Sequence, residues 1–486
     1  MESSTQLYFH PVKDDAVFAL QTKPLAVSTS GFGLVAFFLA SFAHQTPGFA
    51  LLDTLHEESN EISFVGCGVF GLSAARELAL KGYYVRAIDV YEPPSPWSAA
   101  NDFNKIIRAE YTDMIYSKMA VEAMKLWKTD PDLKGLYNEC GRVLVTPKEH
   151  AGRKKFEEQG IQNLRKLGEG QRVEYLRGSK SLAAKHPQFL NNQLGDEQEF
   201  KFNPDAGLGH ASNSLKALYR RCRELGVEFT FGAEGYFSGL QEQHGKTYVK
   251  TAAGTLYSAD QILICCGANT GTAVDLNGQQ SATGLYVAHI QLTPEEYAKY
   301  KDIPIIFDSD MGYFFPPDPE TRIIKVALPG AGASHLVANP HDKDKKLSLP
   351  RYKNENPQDT MPKHCYGELK ALLNKYCPEL AYHEPFNAKA CWVGDTGDSH
   401  FIIDRVSGHK NTFVATGDSG HGYKFLPNIG KYIVARMEDT LEPEYAESWK
   451  WRTGTAFDPL TMDWRVAKEF PDFGDIDWWV EPKMKL

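Results

Sequence analysis

Residues 61–89 decide the fold and read EISFVGCGVFGLSAARELALKGYYVRAID. They begin with a short β-branched and aromatic run, which predicts a buried strand. Gly66, Gly68 and Gly71 follow in a Gly-x-Gly-x-x-Gly pattern, and apolar residues then recur at helical spacing. A glycine ends this predicted helix, and a second predicted strand closes at Asp89.

This order of elements predicts a nucleotide site. The glycines permit a tight turn and a close approach of the backbone to a pyrophosphate. The charge of that group would lie at the helix N-terminus, near Val69 and Phe70. Asp89 stands where a carboxylate can accept the ribose hydroxyls. The pattern therefore predicts an adenine dinucleotide, and at this point NAD and FAD fit it equally.

Two later segments favour FAD over NAD. Residues 226–232 (GVEFTFG) follow a helix-like stretch and predict a late strand of the same sheet, with Val227 at its start. Residues 260–268 (DQILICCGA) predict a hydrophobic strand that runs into a glycine turn, as the final strand does in many flavoproteins. Taken alone, each segment would more often be an ordinary strand of the hydrophobic core, so only the two segments together favour FAD.

Composition limits the remaining functions. The 486 residues are 42% hydrophobic, with 53 Lys and Arg against 62 Asp and Glu, and the net charge is -9. This composition excludes a disordered chain and a multi-span membrane protein. The acidic net charge argues against sequence-independent binding of nucleic acid. The 8 cysteines lack regular spacing, so we expect reduced thiols in an intracellular protein and no metal site.

Four further motifs carry a family resemblance. They are residues 98–108 (SAANDFNKIIR), 288–296 (AHIQLTPEE), 391–404 (CWVGDTGDSHFIID) and 417–430 (GDSGHGYKFLPNIG). Together they resemble the fungal fructosyl amino acid oxidases, or amadoriases. These belong to the monomeric sarcosine oxidase group of DAO-family flavin amine oxidases, with pipecolate and saccharopine oxidases. The resemblance spans about residues 61–460 and implies a monomeric FAD-dependent oxidase of a small amine or amino acid that uses O2.

The resemblance also implies how the cofactor is held. Cys391 matches the family cysteine that bonds through sulfur to the 8α carbon of the flavin, which requires a thiolate against the ring. The other cysteines are expected to be structural. The residues expected at the cofactor are Gly66, Gly68, Val69, Phe70, Gly71, Asp89, Ser98, Lys105, Val227, Cys391, Asp418, Gly420, Gly422, Tyr423 and Lys424.

Three cations are implied as catalytic. Lys424 matches the lysine that binds the substrate carboxylate in sarcosine oxidases, and Arg108 matches a second carboxylate-binding cation. Lys105 matches the amadoriase lysine that lies over the flavin, where its charge would stabilise superoxide. Arg452 resembles a C-terminal arginine that amadoriases use for the carboxylate, with an exposed arginine in a Trp-rich tail as an equal alternative.

One departure from the amadoriase pattern concerns the substrate. Amadoriases carry a glutamate that contacts the sugar-bearing amine, and residues 312–318 (GYFFPPD) place Pro316 at that position. The missing anion counts against a sugar-derived substrate and favours another secondary or N-alkylated amine, such as an N-methyl amino acid or a cyclic imino acid. We expect Tyr313 and Phe315 to line the substrate pocket, with simple packing in the hydrophobic core as the alternative.

The predicted fold class is α/β, with a Rossmann-type FAD-binding domain interleaved with an antiparallel-sheet substrate domain. The predicted parts are the FAD-binding domain (61–135, 205–282 and 386–440), the substrate domain (136–204 and 283–385), an unmatched extension (1–60) and a C-terminal tail (441–486).

The predicted reaction passes a hydride from the carbon beside nitrogen to flavin N5, and the resulting iminium is hydrolysed or, in a biosynthetic enzyme, captured by ring closure. Oxidation of fructosyl amino acids, saccharopine or pipecolate is an alternative. An NAD-dependent dehydrogenase and an inactive nucleotide-binding protein are alternatives from other classes.

The two ends of the chain carry information about where in the cell the protein is located. The apolar run 31–43 is shorter than the ~20 residues of a spanning helix and lacks a positive start, so neither stable membrane insertion nor secretion is expected. Lys485 and Leu486 keep part of a peroxisomal Ser-Lys-Leu signal. We therefore expect a cytoplasmic or peroxisomal protein.

Overall fold

The structure is a computed structural model that describes residues 61–146, 149, 151–453 and 470–482. The apolar run 31–43 and the C-terminal Lys485 and Leu486 lie outside these residues. Within them, every helix is too short or too polar to cross a bilayer. The helices are α1 (Val69–Leu80), α2 (Met114–Thr129), α3 (Ala151–Lys166), α4 (Gly178–Lys185), α5 (Ala211–Glu224), α6 (Thr270–Ala273), α7 (Pro294–Tyr300), α8 (Lys363–Tyr376), α9 (Ile429–Met437) and α10 (Pro443–Trp449).

The strands fall into two large sheets and three small ones. In the first half of the chain they are β1 (Glu61–Val65), β2 (Tyr84–Ile88), β3 (Asn104–Ile107), β4 (Tyr137–Asn138), β5 (Arg142–Val145), β6 (Glu174–Arg177), β7 (Glu199–Asn203), β8 (Gly207–His210), β9 (Glu228–Thr230), β10 (Phe237–Gln243) and β11 (Lys246–Thr251). In the second half they are β12 (Leu256–Ser258), β13 (Gln261–Ile264), β14 (Gln280–Gln291), β15 (Ile305–Asp308), β16 (Gly312–Phe314), β17 (Ile323–Ala333), β18 (Leu336–Ala338), β19 (Lys346–Ser348), β20 (Phe386–Thr396), β21 (Ile402–Arg405) and β22 (Thr412–Thr416).

The first large sheet contains the quoted stretch at its centre. Its strand order is β21-β22-β13-β1-β2-β9, and β1 runs parallel to both β2 and β13, with Phe64 opposite Ala87 and Leu263. β1 is almost wholly buried, which explains its continuous apolar run. The strands predicted within 226–232 and 260–268 are confirmed as β9 and β13. β22 was not predicted, and its run TFVAT extends the parallel part of the sheet.

The second large sheet is the predicted antiparallel one. Its order is β20-β14-β17-β16-β15-β5-β7-β6, and every pairing is antiparallel except that of β15 with β5. The predicted α/β class with a second sheet is therefore confirmed. β20, which carries Cys391, belongs to this sheet by its pairing with β14. Glu58–Leu486 forms one compact unit, so the predicted domain boundaries stay a prediction.

Close helix packing places the motif of residues 417–430 beside the nucleotide turn. α9 lies against α1, and a Cβ added at Gly430 would stand 2.1 Å from the main-chain oxygen of Ser73. The Gly430 N–H donates to Ser73 Oγ at 2.9 Å. A glycine is therefore required there for the two helices to approach, and the apolar Leu72 and Ile433 beside it are fully buried.

Candidate active site

The three glycines of the nucleotide turn serve three different purposes. Gly66 has φ +101°, and a Cβ there would lie 2.4 Å from the Cys265 carbonyl oxygen. A Cβ at Gly71 would lie 1.9 Å from the Gly66 carbonyl oxygen, so this glycine lets α1 pack onto β1. Gly68 has open space on its Cβ side and lines the cavity described below. That opening exposes backbone to a ligand, as a pyrophosphate requires.

Asp89 is held at the carboxyl end of β2. Its carboxylate accepts hydrogen bonds from the Cys67 and Val90 main-chain N–H groups, each at 2.7 Å. Burial raises the pKa of Asp89, and these backbone donors work against that rise. The carboxylate therefore faces the cavity from a fixed position, where ribose hydroxyls can donate to it.

A cavity of about 750 Å³ contains most of the predicted cofactor residues. This volume is in the upper part of the ~300–1,000 Å³ range of ligand sites. The predicted residues that line it are Gly66, Gly68, Val69, Phe70, Asp89, Ser98, Lys105, Cys391, Asp418, Gly420, Gly422 and Tyr423. Of the other predicted cofactor residues, Gly71, Val227 and Lys424 do not line it. Open backbone at a glycine turn, a fixed carboxylate, a cysteine and a lysine together fit FAD.

The lining also contains residues that the sequence motifs did not predict. The ring of Trp97 stacks on Tyr352 at 5.1 Å with an interplanar angle of 6°, and its indole N–H donates to Glu355 at 2.8 Å. All three line the cavity. Cys265 and Cys266 also line it, and burial raises the pKa of both thiols, which opposes thiolate formation there.

Cys391 stands in a polar corner of the cavity. Its Sγ lies 3.6 Å from Lys105 Nζ and 3.7 Å from the Ala99 carbonyl oxygen. The Asp102 carboxylate accepts from Lys105 Nζ at 2.9 Å and from Lys325 Nζ at 2.6 Å. One buried carboxylate is thus shared by two lysines beside the cysteine. Neither Asp102 nor Lys325 was predicted, although a lysine inside the apolar run IIKVAL of β17 was a usable signal.

The titration of this group follows from its burial and its charges. Burial alone would raise the pKa of Asp102, but the two lysines lower it well below its usual range. Burial disfavours the charge of Lys105, yet Asp102 and Cys391 raise its pKa above the ordinary value. Burial and the charge of Lys105 lower the pKa of Lys325 to about 8, against the pull of Asp102.

Arg108 and Lys424 both contact the same tyrosine, Tyr111. The Arg108 guanidinium carbon lies 4.7 Å from the ring centroid of Tyr111, and Lys424 Nζ donates to Tyr111 Oη at 2.8 Å. Lys424 is 5% exposed, and burial together with Arg108 and Arg142 lowers its pKa well below that of a free lysine. Its chain neighbour Tyr423 lines the cavity. These two predicted cations are therefore close to each other. Neither lines the cavity, but each lies within three positions of a residue that does, Lys105 for Arg108 and Tyr423 for Lys424.

The remaining predicted substrate residues are placed differently. Tyr313 lines the cavity. Phe315 does not; it is buried, with its ring in an edge-to-face contact with the Tyr313 ring and with Lys325 Nζ over its face. Arg452 is not part of the lining. It forms an ion pair with Asp398 at 2.7 Å and donates to main-chain oxygens nearby, so its role at the substrate stays a prediction.

One group of possible metal ligands lies elsewhere in the described residues. His364, Cys365 and Glu368 of α8 bring donor atoms within 4.8 Å of one another. Burial raises the pKa of Cys365, which opposes the thiolate that a metal would need.

The chain matches a family of known proteins over most of its length. Residues 64–436 match the model of DAO, the FAD dependent oxidoreductases. The chain belongs to this family. It is 40% identical over 432 residues to L-saccharopine oxidase of Schizosaccharomyces pombe, which covers 86% of this chain and 99% of that protein. It is 22% identical over 380 residues to a monomeric sarcosine oxidase of Bacillus sp., with 77% and 90% covered.

Solved structures agree with this membership. The fructosyl peptide oxidase of E. terrenum has a TM-score of 0.80 and 31% identity, covering 87% of this chain and 98% of that one. The fructosamine oxidase of Aspergillus fumigatus (Amadoriase II) has a TM-score of 0.74 and 30% identity, with 88% and 98% covered. The resemblance and the FAD prediction are confirmed. This protein is an FAD-dependent oxidoreductase whose relatives are amine and amino acid oxidases, so the NAD-dehydrogenase alternative is not supported.

Proposed function

We propose that this oxidase acts on the secondary amine of a carboxylated amino acid, with L-saccharopine as the first candidate substrate. The observation that carries the proposal is the meeting of two cations, the half-buried Arg108 and the buried Lys424, at Tyr111 beside the cavity. The 40% identity to L-saccharopine oxidase supports this substrate, and Pro316 in place of the amadoriase glutamate argues against a sugar-bearing one.

The chain contributes charge and orientation to the reaction. When bound, FAD supplies the hydride acceptor and the subsequent reaction with O2 that yields hydrogen peroxide. Arg108 and Lys424 would hold the substrate carboxylate through charge-assisted hydrogen bonds and so orient the carbon beside nitrogen. The same two cations disfavour an ammonium nearby, so they lower the pKa of the substrate amine. The neutral amine is the form that can give up a hydride and become an iminium.

The substrate is tested by peroxide release over a panel of L-saccharopine, pipecolate, sarcosine, N-methyl-L-tryptophan and a fructosyl amino acid. We expect L-saccharopine to have the highest kcat/KM and the fructosyl amino acid to be at least tenfold poorer. A fructosyl amino acid as the best substrate would overturn the choice made from Pro316. Best activity on an N-methyl or cyclic amino acid would change the substrate while retaining the carboxylated secondary amine.

We also propose that Cys391 bonds covalently to the flavin at its 8α carbon. Support comes from the position of Cys391 in the cavity wall and from the Lys105 Nζ atom, which lies 3.6 Å from its Sγ. Acid denaturation should leave the yellow colour on the polypeptide, and Cys391→Ala should release it. Colour lost from the wild-type protein to the supernatant would exclude the bond.

A role in oxygen reduction is proposed for Lys105. Its ammonium lines the cavity and its pKa is raised by Asp102 and Cys391, so a positive charge would remain beside the flavin as oxygen is reduced. Lys105→Met should slow flavin reoxidation in stopped flow more than flavin reduction by substrate. An equal effect on both half-reactions would contradict this role.

The assembly and the location are further proposals. We infer a monomer in the cytoplasm or the peroxisome, supported by the names of the related monomeric sarcosine oxidase of Bacillus and peroxisomal sarcosine oxidase of Homo sapiens. Sedimentation equilibrium tests the first. Imaging of a fluorescent fusion against cytoplasmic and peroxisomal markers tests the second.

A further inference from the structure

We propose that Tyr111 is the positioning residue that holds both substrate-binding cations, and that its hydroxyl and its ring set the affinity for the substrate carboxylate. The inference rests on the proposed function of Arg108 and Lys424 and adds a residue that neither the sequence motifs nor the comparisons point to. Tyr111 lies just after β3, 6% exposed, between the two cations.

Lys424 is oriented by two oxygens. Its Nζ donates to Tyr111 Oη at 2.8 Å and to the main-chain oxygen of His421 at 2.9 Å. An ammonium has three N–H donors, so two of them are directed into the protein by these acceptors. The third is then available to a carboxylate in one direction. Without the Tyr111 hydroxyl, the lysine would keep a single fixed acceptor and lose this orientation.

The hydroxyl of Tyr111 is itself oriented by His421. The Nε2 atom of His421 lies 2.9 Å from the Ser399 carbonyl oxygen, which can only accept, so Nε2 carries the hydrogen. Nδ1 therefore accepts the hydroxyl hydrogen of Tyr111 at 3.2 Å. Burial and the charge of Lys424 hold the pKa of His421 well below its usual range, which keeps the ring neutral. Because its hydrogen points to His421, Tyr111 Oη can act only as an acceptor towards Lys424.

Arg108 uses the ring of the same tyrosine. Its guanidinium carbon lies 4.7 Å from the ring centroid, and its side chain donates to the main-chain oxygen of Glu110. The negative face of the ring attracts a cation without neutralising it. A carboxylate side chain would neutralise it, but that of Glu110 accepts from Arg142 at 2.9 Å and from Asn203 at 2.8 Å instead. Arg108 therefore forms no direct ion pair with a carboxylate of the described residues, although the charge of Glu110 acts on it from nearby.

The backbone of Tyr111 is fixed from the other side. Its carbonyl oxygen accepts from Ser117 Oγ and from Asn163 Nδ2, both at 3.1 Å. The Phe425 ring lies 5.9 Å away. The backbone that carries the Tyr111 ring is therefore held by α2 and α3, which makes Tyr111 a well-anchored support for the two cations.

A neighbouring tyrosine provides a matched control. Tyr116 is 3% exposed, lies 5.5 Å from the Tyr111 ring, and its hydroxyl accepts from Trp449 Nε1 and the Phe401 main-chain N–H. It contacts neither Arg108 nor Lys424 among the described interactions. Tyr116→Phe therefore removes a buried hydroxyl from the same aromatic cluster without touching the cations.

The test uses the flavin-loaded full chain and pyrrole-2-carboxylate, a carboxylate beside an aromatic N–H that has no saturated carbon next to nitrogen and so cannot give up a hydride. Its Kd is measured from the change in flavin absorbance, alongside kcat and KM with the best substrate of the panel. We expect Tyr111→Phe to weaken Kd and raise KM roughly tenfold, since one hydrogen bond to a charged group is lost, with kcat nearly unchanged. Tyr111→Leu should weaken Kd further, because Arg108 also loses its ring.

Three outcomes are distinguished. If Tyr111→Phe changes Kd no more than Tyr116→Phe does, the positioning role is wrong. If Lys424→Met also leaves Kd unchanged, the carboxylate site itself is wrong and the proposed function fails with it. If Tyr111→Leu does not fold, Tyr111→Phe decides alone, because it preserves the ring and removes only the hydroxyl. Equal thermal unfolding of the two Phe variants excludes a general loss of structure as the cause.

Discussion

Lys424 is buried beside other cations, and this neighbourhood controls when it is charged. Burial, Arg108 and Arg142 hold its pKa well below the usual lysine range, so it loses its proton as the pH rises through that lowered value. Only the charged form binds a carboxylate well. We therefore expect KM for a carboxylated substrate to rise with pH before ~10.4, where an ordinary lysine titrates. Lys424→Arg should move this rise to higher pH.

The measurement is a pH profile of kcat/KM with the carboxylated substrate and with its decarboxylated analogue. The analogue makes no use of Lys424 and should lack this limb of the profile. A wild-type KM that stays flat up to pH 10 would mean that Lys424 keeps an ordinary pKa in the folded protein.

Asp102 balances two lysines beside Cys391, and its removal leaves both without an anion. Breaking one side of a buried ion pair costs ~3–5 kcal/mol. Asp102→Asn is therefore expected to lower the free energy of unfolding by about that amount and to reduce covalent flavin incorporation. Both are measured on the same preparation, by urea denaturation and by flavin fluorescence of the denatured chain.

The control for Asp102→Asn is Asp308→Asn. Asp308 is also a buried carboxylate, which accepts from Lys375 and Tyr376 at 2.6 Å each, but it does not line the cavity. Asp308→Asn should lower the free energy of unfolding without changing flavin incorporation. Equal flavin loss in both variants would attribute the effect of Asp102→Asn to folding alone.

At the scale of elements, the contact of α1 with α9 depends on Gly430. A methyl group there would meet the Ser73 carbonyl oxygen, so Gly430→Ala should destabilise the protein by ~1–3 kcal/mol. Gly367 in α8 is an exposed helical glycine with open space around it, and Gly367→Ala should stabilise the protein by up to ~1 kcal/mol. Denaturation midpoints compare the two. A stable Gly430→Ala variant would show that the helices can separate at little cost.

The stack of Trp97 on Tyr352 joins two distant segments across the cavity wall. An aromatic pair contributes ~0.5–1.5 kcal/mol beyond its buried area. Both rings form part of the cavity wall, so in a Cys391→Ala background, where any covalent bond is removed, Trp97→Ala should weaken FAD binding by roughly two- to tenfold. Trp479→Ala is the control, because Trp479 stacks on Tyr366 at 5.7 Å and does not line the cavity. Equal FAD affinity in the two variants would contradict the prediction.

At the scale of the whole molecule, the cavity is lined from both large sheets, so the cofactor should stabilise the fold. A ligand that binds only the folded state adds about 2.7 kcal/mol at a hundredfold excess over its Kd. The Tm of Cys391→Ala should therefore rise with added FAD, and the β14–β20 and β1–β13 pairings should gain protection from hydrogen exchange together. Protection confined to one sheet would mean that the cofactor contacts only that sheet.

Local sequence was enough for the nucleotide turn and its strands. Three glycines, an apolar run and a terminal acid act through neighbouring backbone, so residues 61–89 predict β1, α1 and β2 directly. Two later apolar runs predicted β9 and β13, while β22 was missed because a run of five apolar or β-branched residues is ambiguous by itself. The family motifs, in turn, predict roles for Cys391, Lys105, Arg108 and Lys424.

Local patterns and motifs were enough to indicate the fold class and the FAD-dependent family, and they also predict the cofactor residues and the cations that the resemblance names. The tertiary structure alone decided what these residues contact. Asp102 meets Lys325 across 223 residues, and Tyr111 meets Lys424 across 313. Such partners are brought together by strand pairing and helix packing, and their charges act at a distance of a few ångströms in space, whatever their separation along the chain.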